Sequence, residues 1–168
     1  DLARLGKHPY LEAPIAVLDS SYPYVGLRSV SNPEDEGVLR LWGFPHDPSR
    51  IWRLVPAGSG GEVRIVSEYN WKCLEDRGTS VALVPPDKTA AQLWTVKKDA
   101  DGTSRIRAKS SGRLLTVIPG AGNNDHKLAL QPANNAPGQR WNIELRDPLT
   151  LQAEALRHET ARLDHGIV

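Results

Sequence analysis

Several features that are common in proteins are scarce in this chain of 168 residues. It has a single cysteine, Cys73, so it cannot form an internal disulfide. It has no apolar run of about 18 residues, the length from which a membrane-spanning helix is suspected, which argues against membrane insertion. Its 21 basic and 20 acidic residues give a net charge of +1, and no block of one sign occurs. Charge alone therefore predicts no nucleic-acid partner.

Methionine is absent as well, the initiator included, so we expect a processed chain or a fragment. A signal peptide that had been removed would leave no trace in this sequence. The length fits one domain, which buries roughly 70% of the surface of its unfolded chain and needs no metal or disulfide for stability. The 14 glycines and 13 prolines favour many turns over long helices.

Three tryptophans mark an internal repeat in the sequence. Trp52, Trp94 and Trp141 are spaced by 42 and 47 residues, and each is followed two positions later by an aliphatic residue. Matching apolar segments precede each tryptophan, at residues 15–18, 24–27 and 38–41, at 63–66, 71–74 and 81–84, and at 105–108, 113–116 and 127–130. Self-similarity of this kind indicates a fold built from repeated units. Each unit is interpreted as four short strands.

Alternation and turn signals support the strand interpretation. Val63 and Ile65 place apolar side chains on one face of a strand, and the sequences 58–61 and 99–102 are typical of hairpin turns. Twelve short strands in three units need a closed arrangement, because an open sheet would leave edges to protect. The three tryptophans are then expected to point inward around a pseudo-threefold axis, as core residues.

The two ends of the chain differ from the repeats. Asp147 is a candidate N-cap, Pro148 fits a first helical position, and Gly166 marks an end, so we predict a C-terminal helix. The predicted organisation is a tail or linker at 1–13, a domain at 14–144 with repeats of about 14–56, 57–98 and 99–144, and a helix at 147–166. The helix is expected to cap the domain or to contact a further domain or subunit.

The pattern resembles the ricin B-type β-trefoil family of lectins and carbohydrate-binding modules. Gln92-Leu93-Trp94 and Gln139-Arg140-Trp141 match that family's Q-x-W signature, whereas the first unit has Arg50-Ile51-Trp52. Cys73-Leu74-Glu75 is similar to its C-L-D element, and Leu39-Arg40-Leu41-Trp42 to its V-Q-L-W element. The resemblance covers about residues 14–144. It implies an all-β fold, a β-trefoil of three four-stranded repeats with pseudo-threefold symmetry, followed by the C-terminal helix.

The resemblance also implies where a sugar pocket would lie. In the family, a carboxylate follows the C-L pair, an aromatic ring closes the V-Q-L-W strand, and an asparagine precedes the Q-x-W glutamine. No unit of this chain keeps the full set. The positions in that order are Arg28, Trp42 and Ser49 in the first unit, Glu75, Val84 and Ala91 in the second, and Thr116, Gln131 and Gly138 in the third.

Any sugar site must therefore be rebuilt from other residues, and each unit offers one candidate. The second combines Glu75, Asp76 and Gln92 with exposed Trp71 or Tyr69 as the ring. The first is built around Trp42, with Phe44, His46 and Asp47, and the third around Asn134 and Asn135 with the loop 123–126. A plain surface loop is the competing interpretation of each candidate. Gln92 and Gln139 are expected to tie loop backbone in addition to any role near a ligand.

The sequence lacks the motifs of the common catalytic and cofactor sites. It has no zincin, zinc-ribbon, nucleophile-elbow or P-loop pattern, so we predict no catalytic residues, no metal and no cofactor. Asp99-Ala100-Asp101-Gly102 is interpreted as a hairpin turn rather than a calcium loop. Cys73 lies on a predicted strand and is expected to be a buried, inert thiol.

The resulting functional expectation is a non-enzymatic domain whose partners are glycans or glycoproteins, acting as a free lectin or as the targeting module of a larger enzyme or toxin. The family resemblance favours secretion, although the single cysteine is no sign of an oxidising compartment. Two alternatives stay open. One is a trefoil that binds a protein, such as a protease inhibitor, through the loops 31–37 and 85–89. The other is a structural domain that packs through its C-terminal helix.

Overall fold

The computed structural model describes five stretches of the chain, residues 13–21, 26–29, 39–42, 50–119 and 126–146. They form β-strands and two short 3-10 helices, Ala90–Gln92 and Pro137–Gln139. The predicted helix 147–166 and nearly all of the predicted tail lie outside the described residues. The described stretches contain no helix of the length and apolarity that crossing a membrane requires.

Within the described stretches, twelve antiparallel strands form one sheet that closes on itself. They are β1 (Ile15–Asp19), β2 (Gly26–Ser29), β3 (Leu39–Trp42), β4 (Trp52–Pro56), β5 (Val63–Ser67), β6 (Cys73–Asp76), β7 (Val81–Val84), β8 (Trp94–Lys98), β9 (Ser104–Ala108), β10 (Leu114–Ile118), β11 (Lys127–Gln131) and β12 (Trp141–Leu145). Strands β1, β4, β5, β8, β9 and β12 pair in that order, and β12 pairs back with β1. Closure of this barrel removes its sheet edges.

The other six strands form three hairpins, β2–β3, β6–β7 and β10–β11. Each hairpin also pairs with the first barrel strand of its own unit, β1, β5 or β9. The units β1–β4, β5–β8 and β9–β12 therefore repeat one pairing scheme three times. This arrangement is the β-trefoil, and the predicted fold class is confirmed.

Burial in strands β4 and β9 follows the period of two that strands impose, whereas every residue of β1 is buried. In β9, Ser104, Ile106 and Ala108 are buried, whereas Arg105 and Arg107 face outward. Strand β4 shows the same alternation from Trp52 onward. The inward aliphatic side chains of all three units meet in one core, which includes Val17, Leu54, Ile65, Ile106 and Ile143. The outward positions differ between units, since Leu18 and Val66 are buried whereas the equivalent Arg107 is exposed.

The three repeat tryptophans occupy equivalent places in this core. Trp52, Trp94 and Trp141 are each 0% exposed, and each begins the last strand of its unit. Each indole Nε1 donates a hydrogen bond to the backbone carbonyl of a leucine on the adjoining hairpin, namely Leu27 at 2.8 Å, Leu74 at 3.0 Å and Leu115 at 3.1 Å, respectively. A buried indole N–H needs such a partner. The predicted symmetry of the three rings is confirmed.

The glutamine of the Q-x-W signature fixes the loop that leads to the tryptophan. Gln139 is 1% exposed; its Nε2 donates to the carbonyl of Pro132 at 2.8 Å, and its Oε1 accepts from the backbone N–H of Asn134 at 2.9 Å. Gln92 makes the corresponding two bonds in the second unit, described below. In the first unit Arg50 stands in this place and is buried.

The longer arginine is accommodated by a glycine. Gly26 lies against the Arg50 guanidinium, so that a Cβ on Gly26 would be 2.4 Å from Arg50 Nη2. The strand pairings make Gly26 equivalent to Cys73 and Leu114 of the other units. In the first unit, the absence of a side chain at Gly26 leaves room for the Arg50 guanidinium.

An ion pair joins the second unit to the third. Lys109 Nζ lies 2.7 Å from Glu62 Oε1, and the backbone N–H of Gly60 donates to Glu62 Oε2 at 2.6 Å. These contacts, with Lys109 first, lower the pKa of Glu62 from 4.5 to about 2. The carboxylate is therefore stabilised in the folded state more than in the unfolded chain.

We expect this carboxylate to make stability depend on acid pH. Because the folded pKa is lowered, the contribution is complete above pH 4.5 and is lost as the pH falls towards about 2. Urea unfolding of the wild type and of Glu62→Gln at several pH values between 6 and 2 measures this contribution to the free energy of unfolding. The gap between the two proteins should shrink as the pH falls. A gap that stays constant would contradict the assignment.

Candidate functional site

The carboxylate predicted for a sugar site lies on the second hairpin. Glu75 is in β6, and its side chain is 13% exposed. Its Oε1 faces Gln92 Nε2 at 3.4 Å, and its Oε2 pairs with Arg77 Nη2 at 2.7 Å. Arg77 is 53% exposed whereas Glu75 is largely covered, so a ligand hydroxyl that reaches this carboxylate has to share it with Arg77 or displace the guanidinium. The structure thus brings Glu75 and Gln92 together, as the sequence predicts.

Gln92 holds the neighbouring loop rather than facing solvent. It is 0% exposed; its Nε2 donates to the carbonyl of Pro85 at 3.0 Å, and its Oε1 accepts from the backbone N–H of Asp87 at 2.7 Å. The prediction that this glutamine ties loop backbone is confirmed. A ligand cannot touch a side chain buried to this extent, so any role of Gln92 in binding is to position Glu75 and the loop.

The loop from Pro85 to Ala90 is exposed and held at several points. Arg64 Nη2 donates to the carbonyl of Asp87 at 2.7 Å. The Asp87 carboxylate accepts from the hydroxyl and the backbone N–H of Thr89 at 2.7 and 2.8 Å. These two bonds, the hydroxyl first, hold the pKa of Asp87 below 3.8. These hydrogen bonds therefore fix the loop beside Glu75. The sequence did not reveal these bonds.

Asp76, the second predicted carboxylate, is occupied by a turn of the third unit. Ser110 Oγ donates to Asp76 Oδ2 at 2.7 Å, and the backbone N–H of Gly78 donates to Asp76 Oδ1 at 2.7 Å. Burial would raise the pKa of Asp76, but the hydrogen bonds from Ser110, Gly78 and Ser111 outweigh it and hold the pKa below 3.8. In this arrangement Asp76 ties two units together, and its predicted contact with a sugar stays a prediction.

An aromatic turn connects β5 to β6. Trp71 and Tyr69 are 59% and 45% exposed, so both rings named as candidates face solvent. Trp71 has a φ of 59°, a backbone region that bulky residues rarely adopt. Its N–H donates to the carbonyl of Ser67 at 2.9 Å, which closes the turn. Trp71 precedes Glu75 by four residues, which limits their Cα separation to about 14 Å.

The other two units present their candidates differently. The backbone of Trp42 is described as part of β3, opposite Gly26, but Phe44, His46 and Asp47 lie outside the described residues, as do residues 123–125 of the third candidate. Asn134 and Asn135 are exposed. Asn134 Oδ1 accepts from the N–H of Ala136 at 2.9 Å, and Asn135, whose φ is 58°, accepts from Arg105 Nη2 at 3.1 Å. Neither asparagine is among the hydrogen-bond or ion-pair partners of Glu75.

Cys73 is completely buried at the start of β6. Burial, first among the causes, raises the pKa of its thiol to about 11, so the thiolate needed for nucleophilic attack or metal binding is scarce at neutral pH. The expectation of a buried thiol is confirmed, and its inertness stays a prediction. Among the described residues, no group of three or more His, Cys, Asp and Glu side chains is arranged to hold a metal ion.

Comparisons with known proteins agree with the β-trefoil fold described above. Residues 90–155 match the family described as the ricin-type beta-trefoil lectin domain-like family. No curated protein matches the chain by sequence. Among solved structures, the designed threefold-symmetric protein ThreeFoil superposes with a TM-score of 0.68 at 19% identity, over 78% of this chain and 97% of that chain.

Two natural proteins superpose similarly well. The cytolethal distending toxin of Haemophilus ducreyi gives a TM-score of 0.66 at 17% identity, over 79% of this chain and 83% of that chain. A Polyporus squamosus lectin bound to a human-type influenza-binding epitope gives 0.65 at 14% identity, over 80% of this chain and 49% of that chain. At such identities the likeness establishes the fold. The resemblance noted in the sequence is thereby confirmed: the chain is a β-trefoil, and its residues 90–155 match the ricin-type lectin-like family.

Proposed function

We propose that this β-trefoil is a non-catalytic carbohydrate-binding domain, acting as a free lectin or as the targeting module of a larger enzyme or toxin. The proposed site lies on the second unit, between the aromatic turn and Glu75. The family match and the lectin bound to a glycan epitope among the structural neighbours support a lectin-type ligand. The site itself is argued from this chain's own residues.

The observation that carries the proposal is the backbone conformation of Trp71. The equivalent residue of the third unit is Gly112, with a φ of 71° and the same turn-closing bond, from its N–H to the carbonyl of Ala108 at 2.8 Å. A left-handed conformation costs a residue other than glycine roughly 1–2 kcal/mol. The second unit thus holds a large exposed indole where the third unit has glycine. Backbone strain of this kind is typical of ligand sites.

The chemistry of the site suits a pyranose. A flat ring such as the Trp71 indole covers the C–H face of a sugar, and a carboxylate accepts hydrogen bonds from two of its hydroxyls. Glu75 offers this carboxylate beside a loop fixed by Gln92. The Cα atoms of the two residues are at most about 14 Å apart, so a short oligosaccharide is long enough to reach both side chains.

Binding at one such site is expected to be weak. A shallow pocket with one ring and one carboxylate yields about −4 to −6 kcal/mol, or millimolar to tens of micromolar dissociation constants. Useful avidity would need more than one site or more than one copy. A glycan array together with titration of galactose- and xylose-type oligosaccharides tests the function as a whole. Silence in both measurements would overturn it.

Replacing Trp71 by glycine should remove sugar binding without harming the fold. Trp71→Gly copies the residue that the third unit carries at φ 71°. Relief of backbone strain and the added freedom of glycine in the unfolded chain roughly offset each other, so stability should change by less than about 1 kcal/mol. Loss of the ring should weaken affinity at least about tenfold, or roughly 1.4 kcal/mol, measured by calorimetric titration.

Leu145→Ala is the matched control. Leu145 is 49% exposed, an apolar side chain as accessible as the two rings, and it lies on β12, in another unit. Its removal should leave affinity unchanged. Trp71→Phe should keep a large part of the binding. Equal affinities for the wild type and Trp71→Gly would show that the aromatic turn is not the site.

A second candidate function, protease inhibition, is favoured by the loop from Pro85 to Ala90. This loop is exposed and held by Arg64 and Gln92, and a pre-ordered loop loses little entropy when a protein binds it. The other loop considered for this role, 31–37, lies outside the described residues. Assays against cysteine and serine proteases separate the two functions. The lectin proposal expects no inhibition at micromolar concentration.

A further inference from the structure

A cavity of about 150 Å³ lies on the outer face of strands β8 and β9. Its lining consists of Thr95, Lys97, Asp99, Arg105, Arg107 and Leu114. Thr95 is opposite Arg107 and Lys97 is opposite Arg105 in the strand register, so the outward positions of both strands meet here. Leu114 supplies an apolar wall. The cavity lies outside the site proposed at Trp71 and Glu75.

The three cations of the cavity outnumber its one carboxylate. Asp99 Oδ2 pairs with Arg105 Nε at 3.0 Å, which leaves the charges of Lys97 and Arg107 to be balanced. Arg107 Nη1 donates to the carbonyl of Gly112 at 2.6 Å, a contact that orients the guanidinium without neutralising it. Arg105 Nη2 is held by Asn135 Oδ1 at 3.1 Å. Two guanidinium groups are therefore fixed in place at the cavity.

The pseudo-threefold symmetry provides an internal comparison. Four outward positions on β8 and β9 are compared, namely Thr95, Lys97, Arg105 and Arg107. The equivalent residues on the face of β12 and β1 are Asn142, Glu144, Ala16 and Leu18. Those on the face of β4 and β5 are Arg53, Val55, Arg64 and Val66. The first of these faces has no cation at the four positions. On the second, Arg53 pairs with Glu68, and Arg64 is bound to the loop before β8. The fold therefore does not require the cations at β8 and β9.

We propose that this cavity binds the sulfate or carboxylate group of an acidic glycan. Fixed guanidinium groups donate paired hydrogen bonds to such oxyanions, and the lysine adds a mobile positive charge. The choice of a glycan as carrier rests on the function proposed above. The turn 109–113 supports it, because this turn contacts both regions, through Gly112 with Arg107 and through Ser110 with Asp76 of the Glu75 hairpin.

The proposal is tested with three tetrasaccharides, one sulfated and heparin-derived, one a tetragalacturonate and one a neutral xylotetraose. Lys97→Gln should weaken binding of a charged ligand about five- to tenfold while the neutral one is unaffected. Lys98→Gln is the matched control, since Lys98 is the next residue on the same strand, is exposed and does not line the cavity. It should weaken binding less than about twofold, by long-range charge alone. Whichever charged ligand binds identifies the oxyanion.

Localisation and competition complete the test. Charged ligands should shift the backbone amide resonances of Thr95, Arg105 and Arg107 in nuclear magnetic resonance spectra, whereas resonances of Trp71 should respond to the neutral ligand. Equal losses in Lys97→Gln and Lys98→Gln would overturn the proposal, as would equal competition by polyaspartate. Binding of the neutral ligand alone overturns this cavity and leaves the Trp71 site standing. Binding of charged ligands alone supports the cavity, and the Trp71 site is then decided separately by the glycan array and the titration of galactose-type oligosaccharides.

Discussion

Replacing Trp141 by alanine is expected to lower the free energy of unfolding by about 3–5 kcal/mol, which is a large share of the stability of a domain this size. Its indole is 0% exposed and sits where strands of the barrel and a hairpin meet. Truncation opens a cavity and also leaves the carbonyl of Leu115 without the donor that lies at 3.1 Å. Urea unfolding followed by circular dichroism measures the loss.

The other two core tryptophans are expected to contribute to stability as much as Trp141 does. Trp52→Ala and Trp94→Ala should cost similar amounts, because all three rings have the same burial and the same kind of acceptor. Trp141→Phe keeps most of the ring volume and removes the donor, so a smaller cost of about 1–3 kcal/mol is expected. A cost below about 1.5 kcal/mol for one alanine variant would show that its ring does not share the common environment.

The residues that define the fold could be found from the sequence because they repeat. Trp94 and Trp141 recur with their glutamines at the same offset, and Val63 and Ile65 alternate with outward residues, so local periodicity was enough to predict strands and core. The inward arrangement of the rings followed from the need to close the barrel. These predictions depended on short-range patterns that every unit satisfies.

The contacts of the site could not be found in the same way, because they join residues far apart in the sequence. Asp76 was predicted to face a ligand, yet Ser110, from the turn of the next unit, occupies its carboxylate. The pairing of Glu75 with Arg77 depends on side-chain directions that residue order does not fix. The sequence identified the residue types of the second candidate but not the partners that compete for them.

The cavity at β8 and β9 did leave a signal in the sequence. Lys97 is two residues from Thr95, and Arg105 is two residues from Arg107, on either side of a predicted hairpin turn. A period of two places such residues on one face of paired strands. With net charge close to zero over the whole chain, a local excess of cations was not visible in the composition. Counting charge separately on each strand face would have revealed it.

Replacing Gly138 by alanine should destabilise the domain, by about 1–3 kcal/mol. Gly138 lies in the 3-10 helix Pro137–Gln139, which packs on β10, and a Cβ there would be 2.4 Å from the carbonyl oxygen of Val117. Val117 belongs to the ladder with β11, opposite Leu128, so its carbonyl cannot retreat without straining that pairing. The helix must shift instead, and Gln139, whose bonds fix the loop before Trp141, would shift with it.

The expected loss of stability in Gly138→Ala is opposite in sign to the usual effect of replacing glycine by alanine at such a position. Gly138 does not have a positive φ, and at such positions alanine normally stabilises by about 0.4–1 kcal/mol through the unfolded chain. The second unit carries Ala91 at the equivalent place, so Ala91→Gly is the matched control, and it should cost less than about 1 kcal/mol. Denaturant unfolding of both variants against the wild type decides the matter. If Gly138→Ala were neutral or stabilising, the close approach of this helix to β10 would be refuted, because the clash is the sole reason to expect a loss.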